Sequence, residues 1–293
     1  MEGLYIILTG SIIAISCGLL GSFLILRKMA MVGDAISHSV LPGIVIAFLI
    51  SGSRDSIPML IGAAAVGVLT TVIIDLLHKK ARLQEDASIG VTFTWLFAIG
   101  VILITVFTNQ VDLDQECVLF GEIAYVPLDL IYNSAGLSLG PRALWISGGL
   151  LLLILLFILV GYKGLYLTSF NVDYAKSLGI STAFWHFTFM SLVSLTTVVS
   201  FESVGAILVV ALLITPAAAA YLLTGKLKTM LCLAAFFGVL SSIGGYFLAT
   251  WLNGSIAGAM ATSTGVIFLI AFLISKLKPR KEASQAEYLK TKV

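Results

Sequence analysis

Long apolar runs, broken by short polar joints, set the rhythm of this chain. A run of about 20 apolar residues is enough to cross the hydrocarbon core of a bilayer as a helix. Nine segments qualify, at roughly 4–26, 31–51, 57–77, 88–108, 143–162, 186–201, 204–223, 230–251 and 256–275. The sixth and seventh are joined only by Phe201-Glu-Ser203, so a broken pair or a re-entrant element, and hence eight spans, stays open. The pattern predicts an all-α polytopic transmembrane bundle of eight or nine spans. Residues 1–275 would form one transmembrane domain and residues 276–293 a charged tail.

Three stretches outside the runs are long enough to carry structure. The first, about 109–142, contains Cys117-Val-Leu-Phe-Gly-Glu-Ile-Ala-Tyr-Val-Pro127, apolar enough to lie at the interface or dip back into the bilayer. The second is the loop at about 163–185. There Asn171 is placed as an N-cap, Asp173 falls in the first turn, Lys176 follows, and Gly179 is a stop. Val172, Ala175 and Leu178 would share one face of this short amphipathic helix, an element suited to a groove on another protein. The third is the tail.

Composition and charge agree with this layout. Hydrophobic residues make up 59% of the 293 and charged residues only 11%, against about 25% charged in soluble domains. With the N-terminus outside, the inner side holds fifteen of the 17 lysines and arginines, and only Arg54 and Arg142 stay outside. That asymmetry is the positive-inside pattern, and it places the C-terminus in the cytoplasm. The net charge of +2 is therefore a topology signal. No basic patch with interleaved aromatics points to nucleic acid. Asp55, Asp112, Asp114, Glu116, Glu122 and Asp129 fall on the outer side, as solvated loops or as a face that attracts cations. Cys17, Cys117 and Cys232 are isolated and lack metal-site spacing, and without a basic leader before Cys17 the first run reads as an uncleaved span.

Candidate chemistry sits inside the second span. Asp34 and His38 lie four residues apart, which puts both on one face of a helix. An ionisable group in hydrocarbon costs roughly 2.5–3.5 kcal/mol on insertion scales, so two on one face imply a shared polar partner. A carboxylate and an imidazole are good ligands for a divalent transition metal. They could also form a proton relay, and the residues alone leave both readings open. Pro42, four residues after His38, and Pro216 each remove a backbone donor from a span. Glu202, near the end of the sixth run, is a further candidate metal carboxylate, although it also suits a water interface. Asp75 pairs with Lys79 by i, i+4 spacing, His78 adjoins two lysines, and His186 reads as a structural hydrogen-bonding group. There is no GxxxxGK[ST] phosphate loop and no HExxH, so the chain carries a pathway without an energy source.

Four blocks carry a family resemblance: Gly33-Asp-Ala-Ile-Ser-His-Ser-Val-Leu-Pro-Gly43, Val118-Leu-Phe-Gly-Glu122, Ser169-Phe-Asn-Val-Asp-Tyr-Ala-Lys-Ser-Leu-Gly179 and Val204-Gly-Ala-Ile-Leu-Val-Val-Ala-Leu-Leu-Ile-Thr-Pro-Ala-Ala218. In this order they resemble the metal-ion class of bacterial ATP-binding-cassette permeases, with details closest to Gram-positive manganese permeases. The resemblance implies a non-enzymatic pore subunit of an importer for Mn²⁺, Zn²⁺ or Fe²⁺ in the bacterial plasma membrane. It implies no cofactor in this chain, with ATP and Mg²⁺ bound by a cytoplasmic ATPase dimer. The other partners would be an extracellular metal-binding lipoprotein and a second permease chain. Asp34 and His38 match the family's metal-coordinating pair. Asn171, Asp173, Tyr174, Ala175, Leu178 and Gly179 fall in the coupling helix that touches the ATPase. Asn171 stands where many relatives carry Asp, which exchanges one N-cap for another.

Overall fold

The computed structural model describes residues 2–52, 56–107, 123–132 and 138–277. The acidic residues 112–122 with the Val118–Glu122 block, Arg54, Asp55, Cys117 and the tail beyond Leu277 lie outside the described residues. Among the described residues, nine helical segments are long and apolar enough to cross a membrane.

In chain order the helices are α1 (Glu2–Leu26), α2 (Val32–Ser39), α3 (Leu41–Ser51), α4 (Ser56–Lys80) and α5 (Glu85–Phe107). A 3-10 turn (Ile123–Leu128) and a two-stranded antiparallel ribbon, β1 (Leu130–Tyr132) with β2 (Ser138–Pro141), come next. Then follow α6 (Arg142–Phe170), α7 (Val172–Ser177), α8 (Thr182–Val204), α9 (Ala206–Leu223), α10 (Leu227–Leu252) and α11 (Ile256–Leu277). Helix α1 packs on α6, α9 and α10, while α9, α10 and α11 pack on one another. Helices α2–α5 form a second group, and α8 joins the two by touching α1, α2, α4, α6 and α9. The core runs through α1, α8 and α9, where Phe23, Phe189, Leu208 and Leu212 are fully buried.

Three local features depart from simple spans. The second span is two helices, α2 and α3, meeting at Val40. Pro42 has no N–H to offer the His38 carbonyl, so the ladder is interrupted just where the imidazole sits. The break is held from the side by a 2.7 Å hydrogen bond between the Ser39 and Thr70 hydroxyls. Just beyond it, α3 crosses α4 at Gly43 and Gly62, where a Cβ on either would run into the other's carbonyl oxygen.

The sixth and seventh spans are separate helices. They meet at the single residue Gly205, with φ 80° and ψ 162°. That backbone region is essentially closed to residues with a side chain. A one-residue corner explains why the sequence barely separates the two runs.

Helix α6 reaches Phe170, well past the end expected from hydropathy. Its 29 residues span ~43 Å at 1.5 Å each, longer than a ~30 Å hydrocarbon core. Its last turns pack Gly161 and Gly164 against the Trp185 ring of α8. Tertiary contact, rather than lipid, sustains the helix there. At the opposite end of the bundle the 3-10 turn rests on α1 and α11, with Ile123 fully buried beside Gly10 and Met260. These described residues pack against helices, while the earlier part of the Cys117–Pro127 stretch lies outside the described residues.

Candidate functional site

Helix α2 is only eight residues long and carries both members of the intramembrane pair. Asp34 lies in its first turn, where the exposed amide dipoles favour a carboxylate. His38 lies in its last turn, where a cation is favoured. The imidazole Nε2 stands 3.6 Å from Asp34 Oδ1. That is close enough for electrostatic attraction yet too long for a hydrogen bond, so the carboxylate keeps its acceptor capacity for another partner. The two side chains are 36% and 37% exposed. The other surroundings are apolar: the His38 ring lies 5.9 Å from the Phe93 ring and edge-on to Phe97 at 6.1 Å. A cavity of about 10 Å³ beside His38, bounded by Ser37, Val40, Leu41, Ile44, Phe97 and Phe201, has room for about one water.

Among the described residues, no three His, Cys, Asp or Glu side chains converge as a metal cage within one chain. Glu202 is exposed near the end of α8. Its neighbour Phe201 borders the His38 cavity, and Glu202 is not among the residues lining it. Among the described residues, one copy thus brings one carboxylate and one imidazole together here.

A second carboxylate–imidazole pair lies at the end of the bundle where the lysine-rich joints gather. His186 Nε2 of α8 approaches Asp75 Oδ1 of α4 at 3.3 Å, and Lys79 Nζ reaches Asp75 Oδ2 at 2.7 Å. The Lys79 contact follows from i, i+4 spacing; the His186 contact does not, because the two residues are distant in sequence. They border a cavity of about 650 Å³ lined also by Arg27, Lys28, Glu85 and Lys176. Four cations against two carboxylates make this cavity a poor host for a metal ion.

Arg27, in the α1–α2 connection, was not singled out as a site residue from the sequence. Its Nε and Nη2 donate to Ser169 Oγ and Thr168 Oγ1, both at 3.1 Å, and its guanidinium lies 4.4 Å from the centre of the Phe189 ring. Burial pushes its pKa down to about 10. Among the described residues no carboxylate forms an ion pair with it.

The loop after α6 folds as the sequence predicts. Asn171 Oδ1 accepts from the Tyr174 amide at 3.0 Å, capping α7. Asp173 and Lys176 face each other at 3.4 Å in solvent. The turn closes with Gly179 at φ +75° and Ile180 N donating to Ala175 O. Ala175 is fully buried against the bundle, whereas Val172, Tyr174 and Leu178 are about half exposed. The apolar face is therefore divided. Ala175 anchors the helix, and the larger side chains stay free.

Among the described residues, nine helical segments long and apolar enough to span a membrane, the second carrying a carboxylate–imidazole pair, define a multi-pass membrane protein. The chain belongs to the ABC 3 transport family, which it matches over residues 4–275. It is similar to the manganese transport system membrane protein MntD of Bacillus subtilis (strain 168), with 54% identity over 271 residues, covering 92% of this chain and 91% of that protein. It is 42% identical over 270 residues to the zinc transport system membrane protein TroD of Treponema pallidum (strain Nichols), covering 92% and 73%. Among solved structures it resembles PsaBC from Streptococcus pneumoniae in complex with Fab. The TM-score is 0.74 at 34% identity, covering 92% of this chain and 90% of that one. The chain is thus a membrane-spanning permease of the metal-ion class of ATP-binding-cassette transporters.

Proposed function

We propose that this permease imports a divalent transition-metal ion, Mn²⁺ first, through a pore site built from Asp34 and His38 of two copies. The observation that carries the reading is the pair itself, a carboxylate and an imidazole held 3.6 Å apart among aromatic and aliphatic side chains. Two aspartates would neutralise the cation, as a low-dielectric pore demands, and two imidazoles would complete the donor set. The relatives named for manganese and for zinc support the metal class. Mixed oxygen and nitrogen ligation suits Mn²⁺ but binds Zn²⁺ at least as well by the Irving–Williams order. Selection then rests on the delivering protein or on geometry, and Fe²⁺ falls within the same ligand class.

In this reading residues 1–275 act as one pore domain, with the N-terminus outside and the C-terminus in the cytoplasm of a bacterial cell. An extracellular metal-binding lipoprotein delivers the ion past the outer face, where exposed Glu202 could attract it. A cytoplasmic ATPase dimer binds ATP and Mg²⁺ and docks on α7. The half-exposed Val172, Tyr174 and Leu178 offer it a surface, and Asn171, Asp173, Ala175 and Gly179 hold the shape of the helix.

The test is ⁵⁴Mn²⁺ uptake by cells carrying the permease with and without its ATPase and binding protein, with cold Zn²⁺ and Fe²⁺ as competitors. Uptake that needs all three components supports the importer, and the competition profile names the metal. Uptake by the permease alone, driven by a proton gradient, would replace this reading with a secondary transporter that uses the same pair as a proton relay.

A further inference from the structure

We infer that Arg27 is a positioning residue that ties the helices flanking α7 to the start of α2, so that its guanidinium carries movement of the hairpin toward the Asp34–His38 pair. The inference rests on the proposed roles of α7 and the pair. Its starting point is a guanidinium that uses two of its donors on hydroxyls of another helix instead of meeting a carboxylate.

The connection carrying Arg27 is short and wound back on α1. Lys28 N donates to Ile25 O, Met29 N to Leu24 O, and Val32 N to Met29 O. Arg27 therefore cannot shift far without moving the start of α2, and Asp34 lies in that first turn. On the other side, Thr168 and Ser169 form the last turn of α6, immediately before the Asn171 cap of α7. The aromatic partner Phe189 lies on α8, the helix that leaves α7. Phe189 also meets the Phe23 ring of α1 edge-on at 6.0 Å.

Arg27 thus touches the helix that enters α7 and the helix that leaves it. Among the described residues, its two bonds are the side-chain hydrogen bonds that join the α1–α2 connection to this hairpin. The cavity of about 650 Å³ beside it leaves space for the hairpin to move without breaking a packed core. A planar fork carries such a displacement with direction. A lysine ammonium would keep the charge and lose the two-point geometry.

The experiment uses the full transporter, permease with ATPase and binding protein, in proteoliposomes. ⁵⁴Mn²⁺ uptake and phosphate release are measured in the same vesicles for wild type, Arg27→Lys, the Thr168→Val/Ser169→Ala double variant and the triple combination. We expect the Mn²⁺ moved per ATP hydrolysed to fall roughly fivefold or more in Arg27→Lys and equally in the double variant. The triple variant should show no further loss, because all three side chains serve one link. ATP hydrolysis without metal should continue in each.

An unchanged ratio, uptake and hydrolysis falling in step, or losses that add in the triple variant would each overturn the link. If Arg27→Lys fails to assemble, the double variant decides alone, since it leaves Arg27 in place. Wild-type complex that hydrolyses ATP and moves no Mn²⁺ would remove the proposed function, and the link with it.

Discussion

The two carboxylate–imidazole pairs of this permease use the same side chains for different ends. Asp34 and His38 share one short helix, stand 3.6 Å apart and are flanked by Phe93 and Phe97. Asp75 and His186 come from α4 and α8, stand 3.3 Å apart and carry Lys79 on the second carboxylate oxygen. Ligand chemistry alone does not make a metal site. In the second pair an ammonium already occupies the carboxylate, and Arg27, Lys28 and Lys176 line the same cavity. In the first, no lysine or arginine forms an ion pair with the carboxylate among the described residues, which is the contrast on which the proposed metal site rests.

The sharpest way to break this comparison is to remove the first pair. Asp34→Ala and His38→Ala should each cut ⁵⁴Mn²⁺ uptake by more than about 100-fold at matched membrane expression, since even the supporting partners of metal ligands are worth 10–100-fold. Near-normal uptake by either would end the assignment. Next comes the crossing that holds the α2–α3 break. Gly62→Ala sets a methyl against the Gly43 carbonyl. It should cost about 1–3 kcal/mol of stability by overpacking, read as a lower melting temperature in detergent, with weaker Mn²⁺ binding.

A smaller effect is expected at the second pair. Asp75→Asn removes the ion pair with Lys79, whose side chain is 60% exposed, and weakens the contact of the 11%-exposed carboxylate with His186, so about 1–2 kcal/mol of stability is at stake. Uptake per folded molecule should stay within a few-fold of wild type. A loss as deep as that of Asp34→Ala would make the two pairs equivalent and sink the contrast. The mildest variant is Asn171→Ala, which deletes the cap of α7 for about 1 kcal/mol. Faster amide exchange over residues 172–178 would report it. Asn171→Asp should leave the exchange unchanged, because either side chain caps.

Much of this was legible along the chain because it is local. Apolar run length marks the spans. A spacing of four residues puts Asp34 with His38 and Asp75 with Lys79, and Asn171 two residues before Asp173 marks the start of α7. The conserved logic in each case is helix geometry, which a sequence expresses directly. What escaped was the end of α6, because Gly161 and Gly164 extend the helix by packing on Trp185 where hydropathy has already faded. The corner at Gly205 escaped too, since a single residue leaves almost no polar gap between two runs. For the site, the types and spacing of the first pair were readable. That no lysine or arginine forms an ion pair with it among the described residues, and that Glu202 does not line the cavity beside His38, were not.

The sequence by itself determined that this is a many-span membrane protein, which helix carries the intramembrane acid and imidazole, and where a short capped helix lies between two spans. Those properties depend on composition and on residues within one or two turns. Only the tertiary structure decided that His186 meets Asp75, that Arg27 bonds to Thr168 and Ser169 over the face of Phe189, and that α2 breaks from α3 beside Thr70. Each of these joins residues from different helices. Nearly every span here is apolar on all sides, so the pattern of each helix says little about which neighbour it will meet. That choice falls to close small-residue crossings and to a few polar side chains that must find partners inside the bundle.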